Sequence, residues 1–251
     1  IEGLDVVDST VRVLDQSRIG PILTGDRRDL GAGPPITALF IQNTNPMNVA
    51  PDLGKVRDGF SRNDLFICVH EQFLTETAQM ADIVLPATTF LEHDDMYVAG
   101  GHTHLQVARA VIDPVGEARP NHWVITELAR RLGADHPGFS MSEWELMDDA
   151  LQRSGYPDAQ SCWEGHWEDR ALSFEDSHFL NGFGHEDGRF HFMPDWSKIG
   201  ENYEGMPAFP DHFDVIDGRD GEHPFRLVTA PSRDYLNTSF TETVTSQSRE
   251  G

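Results

Sequence analysis

Three short apolar runs near the start of the chain each end in side chains that can make hydrogen bonds. Ala38-Leu39-Phe40-Ile41-Gln42 is followed by Asn43-Thr44-Asn45-Pro46. Leu65-Phe66-Ile67-Cys68-Val69 is followed by His70-Glu71-Gln72-Phe73. Ile83-Val84-Leu85 is followed by Pro86-Ala87-Thr88-Thr89 and then by Glu92-His93-Asp94-Asp95. In an open parallel sheet, ligands bind beyond the carboxyl ends of the strands. Three such ends would gather amides, hydroxyls and carboxylates on one edge, a set suited to a polar ligand with many donors and acceptors, such as a nucleotide. Asn, Asp, Thr and Pro are also ordinary turn residues, and spacing alone favours that plainer reading. Neither G-x-G-x-x-G nor G-x-x-x-x-G-K-[ST] occurs, so no standard phosphate loop is present. His102-Thr103-His104 has the spacing of a metal pair on a strand, although polar side chains on a loop account for it more simply. The two cysteines, Cys68 and Cys162, lie far apart and form no C-x-x-C pair, which argues against an iron–sulfur or zinc site built from this segment.

The elements that must position these groups alternate in type. Apolar periodicity predicts a helix over 5–16, with Val6, Val7, Val11 and Leu14 at helical spacing. Residues 17–35, punctuated by Gly20, Gly25, Gly31, Gly33, Pro34 and Pro35, read as loop. Strands are expected near 38–42, 65–69 and 82–86, with helices over 49–60 and 75–81 between them. Strand–helix–strand–helix–strand at this spacing means a parallel sheet with right-handed crossovers. A further helix is expected over 121–132, with Asn121 as N-cap and Gly133 as its stop. Ser142-Glu143-Trp144-Glu145 is a capping box that opens another helix, running to about Ser154. Beyond it the sequence turns rich in Asp, Gly, His and aromatics, with strand-like stretches at 189–192 and 225–230. The expected fold class is therefore α/β: a Rossmann-like parallel sheet flanked by helices over 1–155, an irregular extension over 156–221, and over 222–251 the start of a further domain that the chain does not complete.

Composition narrows the partners. The chain has 251 residues, with 42 Asp and Glu against 19 Lys and Arg, for a net charge of −23. Nucleic acid is excluded as a partner, because phosphate binding needs clustered cations. No apolar run approaches the roughly 20 residues that span a bilayer, so no membrane insertion by this segment is expected. Two isolated cysteines fit a reducing, cytoplasmic compartment. Only two lysines occur, Lys55 and Lys198. Such a surface suits a high-salt source, where screening tolerates self-repulsion; equally, basic parts of a longer parent would balance it. The first residues, Ile1-Glu2-Gly3-Leu4-Asp5, are neither a signal peptide nor a start methionine and read as a cut inside a longer protein.

A resemblance sharpens the nucleotide reading. Asn45-Pro46, the stretch from Leu65 through His70-Glu71-Gln72-Phe73 to Thr75-Glu76-Thr77-Ala78, and Ala81-Asp82-Ile83-Val84-Leu85-Pro86-Ala87-Thr88-Thr89-Phe90-Leu91-Glu92 together resemble the signature of the molybdopterin oxidoreductases, the dimethyl sulfoxide reductase and formate dehydrogenase family. The likeness continues through Ile112-Asp113-Pro114 and Asn121 to Leu128-Ala129-Arg130-Arg131-Leu132-Gly133. It is weaker at Gly188-Arg189-Phe190-His191-Phe192, and from 224 to 240 it is similar to the opening of the family's C-terminal barrel-like domain. The resemblance implies an internal fragment of a large catalytic subunit, in which one α/β domain grips one guanine dinucleotide limb of a bis-molybdopterin guanine dinucleotide cofactor carrying Mo or W. By the match, Asn43, Asn45 and Pro46 after the first strand, His70 and Glu71 after the second, Thr88 and Glu92 after the third, and Asn121 hold that limb. Glu71 and Asn121 stand where most or many members have Asp; a carboxylate suits guanine by accepting from both N1–H and N2–H₂. The resemblance also implies missing domains of the same chain, with a possible iron–sulfur cluster in the N-terminal part, the metal ligand elsewhere, and a possible electron-transfer subunit. No catalytic or metal-binding residue is expected within this segment. The rival expectations are a non-catalytic relative that has lost the cofactor, like the large iron–sulfur subunit of respiratory complex I, and a generic acidic α/β binding domain.

If the lysine-poor surface is an adaptation to salt, the melting temperature of the chain should climb between low and molar NaCl as screening relieves repulsion. A flat melting curve series would instead leave the charge to be balanced by basic regions of a larger parent.

Overall fold

The computed structural model describes residues 11–198, 206–209, 211, 218–233, 236–241 and 243–249. The chain divides into two units, one made of Ile1–Arg170 with Asp234–Gly251 and the other of Ala171–Arg233.

The first unit is organised by a parallel sheet of three strands in the order β1 (Ala38–Gln42), β2 (Phe66–Glu71) and β3 (Ile83–Pro86). Ala38 pairs with Phe66 and Gln42 with His70; Cys68 pairs with Ile83 and Glu71 with Pro86. All three expected strands are present, and parallel. Side chains alternate across a strand, so Ile41, Ile67 and Val69 point to one face. There they pack with Leu23, Met47, Val56, Phe60 and Ala78 in a single core. Those residues come from α1 (Ile19–Leu23), α3 (Pro46–Val49), α4 (Leu53–Phe60) and α5 (Glu76–Gln79), with α2 (Arg27–Leu30) alongside α1. On the other face Phe40 and Ile83 remain 39% and 45% exposed, an unusual state for a parallel sheet, whose strands are ordinarily covered on both sides.

Several expectations need correction. The helix over 5–16 falls partly on residues 1–10, which lie outside the described residues; 11–14 is not helical, and only Gln16–Arg18 forms a 3₁₀ turn, capped by the Asp15 carboxylate. The stretch 17–35, expected as loop, contains α1 and α2. Packing overrides the glycine signal: Gly20 meets the α4 backbone so closely that an added Cβ would sit 2.8 Å from Val56 N. The helix expected over 49–60 is two helices. Ala50 precedes Pro51 and is held extended at ψ 139°, and α4 restarts from Asp52, whose carboxylate accepts from Lys55 N. The helix expected over 75–81 is the shorter α5.

A second sheet, unforeseen, joins β4 (Asp95–Val98), β5 (His104–Ala108) and β6 (Glu168–Asp169) in antiparallel fashion. Leu105 and Val107 of β5 pack on Met147 and Leu151 of α7 (Glu143–Arg153) and on Ala159 and Cys162 of α8 (Ala159–Glu164). The Ser142–Glu145 capping box forms as expected. Arg109, at the end of β5, pairs with Asp94 at 3.0 Å and lies over the Trp144 indole, fastening sheet to helix. The helix over 121–132 is α6 (Asn121–Leu132), closed by Gly133 in the left-handed conformation. Its N-cap is Pro120, not Asn121, so the helix opens one residue earlier than an Asn121 cap would place it; Arg119, just before the cap, is held in a bridge with Ala87.

In the second unit the strand expected at 189–192 is absent. Phe183, Phe190 and Phe192 pack ring to ring around a turn, and His185 stacks on His191, with no strand partner for the backbone among the described residues. This unit also holds a short helix, α9 (Phe174–Ser177). The run 225–230 is likewise unpaired among the described residues, with Phe225 88% exposed. The last helix, α10 (Val244–Arg249), belongs with the first unit.

The contact between α1 and α4 yields a paired test. A Cβ on Gly59 would meet Leu23 Cβ at 2.5 Å, whereas one on Gly54 finds only Asp52 at 3.7 Å. Gly59→Ala should destabilise by about 1–3 kcal/mol through overpacking, despite its better helix propensity. Gly54→Ala, in the same helix, should be neutral or stabilising by up to ~1 kcal/mol. Urea titration of both checks this; equal effects would mean that the helices do not approach through Gly59.

Candidate functional site

The carboxyl ends of β1, β2 and β3 open on a cleft of about 510 Å³. Its walls include Asn43, Thr44 and Asn45 from the first strand end, Glu71, Gln72, Phe73 and Thr75 from the second, and Thr89 and Phe90 from the third. A last wall comes from Thr238, Ser239 and Phe240, in the turn before α10. The volume falls in the range of small-molecule sites, roughly 300–1,000 Å³.

The eight residues singled out from the sequence take different positions. Asn43 is exposed at the cleft in a left-handed conformation, φ 57°. Glu71 is half-buried; its Oε1 accepts from Gln72 N at 2.7 Å, and Oε2 has no partner among the described residues. Asn45 lines the same cleft with its backbone turn, but its side chain is spent inward. Its Oδ1 accepts from Thr77 N and Thr77 Oγ1, and its Nδ2 donates to Glu76 Oε2 at 2.8 Å. Pro46 is buried as the first residue of α3. Thr88 and Glu92 are buried beneath the rim. Thr88 Oγ1 meets His93 Nδ1 at 2.8 Å. The Glu92 carboxylate accepts from Thr89 N, Thr89 Oγ1 and Val115 N, and those bonds hold its carboxyl below the ordinary glutamate range. His70 is enclosed between Gln42 and the Arg119 carbonyl. Asn121 is exposed and accepts from Gln42 Nε2 at 3.4 Å, on the side of the sheet that carries His70.

The strand ends thus separate into groups that face the cleft and groups that hold it open. Thr44, Gln72 and Thr89 lay within the segments read as strand ends but were not singled out among them. Gln72 Nε2 donates to Thr88 O at 2.8 Å and ties the second end to the third. The phenyl rings of Phe73, Phe90 and Phe240 carried no polar signal. The wall at 238–240 had no local signal at all, only the resemblance of the segment around it. Among the described residues, no cation lines the cleft. His102 does not act as a free ligand, since its Nδ1 accepts from His104 N, and among the described residues no group of three metal-ligating side chains assembles.

An open parallel sheet with a polar, aromatic-walled cleft at the carboxyl ends of its strands defines an α/β ligand-binding domain. Residues 30–131 match the family model of the molybdopterin oxidoreductases. The chain is 36% identical over 239 residues to the probable oxidoreductase YoaE of Bacillus subtilis, covering 92% of this chain and 33% of that protein. It is 30% identical over 200 residues to the putative formate dehydrogenase YrhE of the same organism, covering 74% of this chain and 19% of that one. It is 29% identical to the trimethylamine-N-oxide reductase of Haemophilus influenzae, covering 78% and 27% respectively. Among solved structures, the acetylene hydratase of Pelobacter acetylenicus superposes with a TM-score of 0.56 at 23% identity, over 71% of this chain and 24% of that one, and so shares its fold. The chain therefore carries a molybdopterin oxidoreductase domain and spans a third or less of the length of these relatives.

The buried Asn45 side chain is testable on its own. Asn45→Ala strips acceptors from Thr77 N and Oγ1 and a donor from Glu76. Leaving buried donors unsatisfied costs about 1–3 kcal/mol each, so a loss of roughly 2–4 kcal/mol in urea unfolding is expected. A loss below about 0.5 kcal/mol, the size of an ordinary surface change, would show that the site turn is held by something else.

Proposed function

We propose that the cleft receives the guanosine end of a molybdopterin guanine dinucleotide, and that this chain is one wall of a larger molybdenum or tungsten oxidoreductase. The observation that carries the reading is the placement of Glu71: a carboxylate with one oxygen uncommitted among the described residues, at the middle strand end, lining the same cleft as the phenyl rings of Phe73 and Phe90. A carboxylate accepts from two adjacent N–H groups, which guanine offers and adenine does not, while phenyl rings pack on a flat base. The residues present fit a nucleoside. They do not supply a cation for a diphosphate, and that charge would be met by other regions of the enzyme. When bound, such a cofactor supplies the metal chemistry; the part of this chain is to hold and orient its nucleotide. The relatives' lengths, about three or more times the segment matched, support this division of labour. On this reading the isolated chain is inactive, and the complete enzyme moves an oxygen atom, or a proton with electrons, on a small substrate, with the electrons passing to or from a partner subunit.

The test is a GDP titration of the chain followed by amide NMR shifts, with ADP as control. A dissociation constant on the order of millimolar, about 4 kcal/mol, is expected for a half-site without cations. Shifts should centre on Asn43, Glu71 and Thr89 for GDP alone, and Glu71→Gln should abolish the preference over ADP. Equal shifts with both nucleotides, or none at the strand ends, would favour a relative that keeps the fold without the cofactor.

A further inference from the structure

We infer that His70 is a positioning residue of the cleft rather than one of its contacts: its imidazole fixes how far apart the three strand ends stand. The inference rests on the nucleotide reading above for its ligand, but its geometry stands apart from that reading. His70 is 1% exposed and does not line the cleft. It follows Val69 on β2, so its ring points to the face opposite Val69 and Glu71.

Both ring nitrogens are engaged. Nε2 lies 3.0 Å from the carbonyl of Arg119, which can only accept, so Nε2 carries the proton. Nδ1 lies 2.9 Å from Gln42 Nε2, which can only donate, so Nδ1 is the bare nitrogen. The two partners lead to the other strand ends. Gln42 is the last residue of β1, and its amide nitrogen also reaches Asn121 Oδ1 at the start of α6. The Arg119 carbonyl accepts a second bond from Thr88 N at 3.3 Å, and Arg119 N donates to Pro86 O at 3.0 Å, so Arg119 is laced to the end of β3. One ring therefore joins the ends of β1, β2 and β3 and the entry to α6. The residues that face the ligand are the immediate neighbours of these joints: Asn43 beyond Gln42, Glu71 beyond His70, and Thr89 beyond Thr88. A histidine that merely filled space would need neither bond. Here the hydrogen-bonding pattern requires the neutral ring in one tautomer.

The experiment compares three variants of the 251-residue chain. H70Q keeps a donor toward the Arg119 carbonyl, H70L fills the space without one, and Q42M removes the partner of Nδ1 from a half-buried position. Imidazole ¹⁵N NMR of the unaltered chain should show Nε2 protonated and Nδ1 bare. H70L should displace the Asn43 and Thr89 amide resonances even without nucleotide, and weaken GDP binding by about tenfold or more, equivalent to about 1.4 kcal/mol. H70Q should recover most of that, to within about threefold, and Q42M should fall between them. A folded H70L with unchanged GDP affinity and unchanged Asn43 and Thr89 resonances overturns the proposal, as does an Nδ1–H ring. If H70L does not fold, Q42M decides, and unaltered resonances and affinity there count against the proposal equally. Should the unaltered chain show no guanine preference, the nucleotide reading falls, while the tautomer and the Asn43 and Thr89 resonances still decide the role of His70.

Discussion

The site rests on one buried amide. Asn45 ends the turn after β1, and in that place an Asn would ordinarily cap the helix that follows. Its side chain instead crosses to α5, where a single oxygen satisfies both Thr77 N and Thr77 Oγ1. Thr77 Oγ1 in turn accepts from Met47 N, so the loop is closed from both directions. Glu76 completes it, and the donation from Asn45 is the first reason its carboxyl lies below the ordinary range. At 5% and 0% exposure for Asn45 and Thr77, no water competes for these bonds, and a closed buried network of this kind specifies one arrangement rather than several. The turn from β1 into α3 is thereby set against α5, the helix between β2 and β3, and the Asn43–Asn45 wall of the cleft takes its position from that junction.

The charge pattern has a structural counterpart. In a chain of −23, many of the arginines are committed to neighbours. Arg18 pairs with Asp29, Arg28 with Asp26, Arg62 with Asp64, Arg109 with Asp94, and Arg130 and Arg131 both with Glu127. Arg62 also reaches the carbonyls of Leu23 and Ile36, bracing α1 against the start of β1. These guanidiniums serve architecture. Among the described residues, the cleft at the strand ends is lined by amides, hydroxyls, a carboxylate and phenyl rings.

How much of this was legible in the sequence follows from which interactions are local. Strands built of continuous apolar runs, and capping boxes such as Ser142 with Glu145, declare themselves within a few residues, and they were readable. Gly20 misled because the same residue that breaks a lone helix also permits two helices to touch; the sequence cannot say which use applies without the partner α4. β4 and β6 were not read because short strands acquire their identity from pairing, and β6 is two residues long. At the site, the residue types at the strand ends were visible, but the division of labour among them was not. Asn45, His70 and Glu92 are polar residues turned inward, and Phe73, Phe90 and Phe240 are apolar residues that line the cleft, the reverse of what polarity alone suggests.

The wall formed by Thr238, Ser239 and Phe240 gives the cleft a history. β1, β2 and β3 pair with their neighbours in sequence, so the sheet and its helical layer depend on short-range closures of the sort that form early. Domains emerge from the ribosome in order, N-terminal parts first. The strand ends with their amides and carboxylate would thus be assembled while the last wall was still unmade.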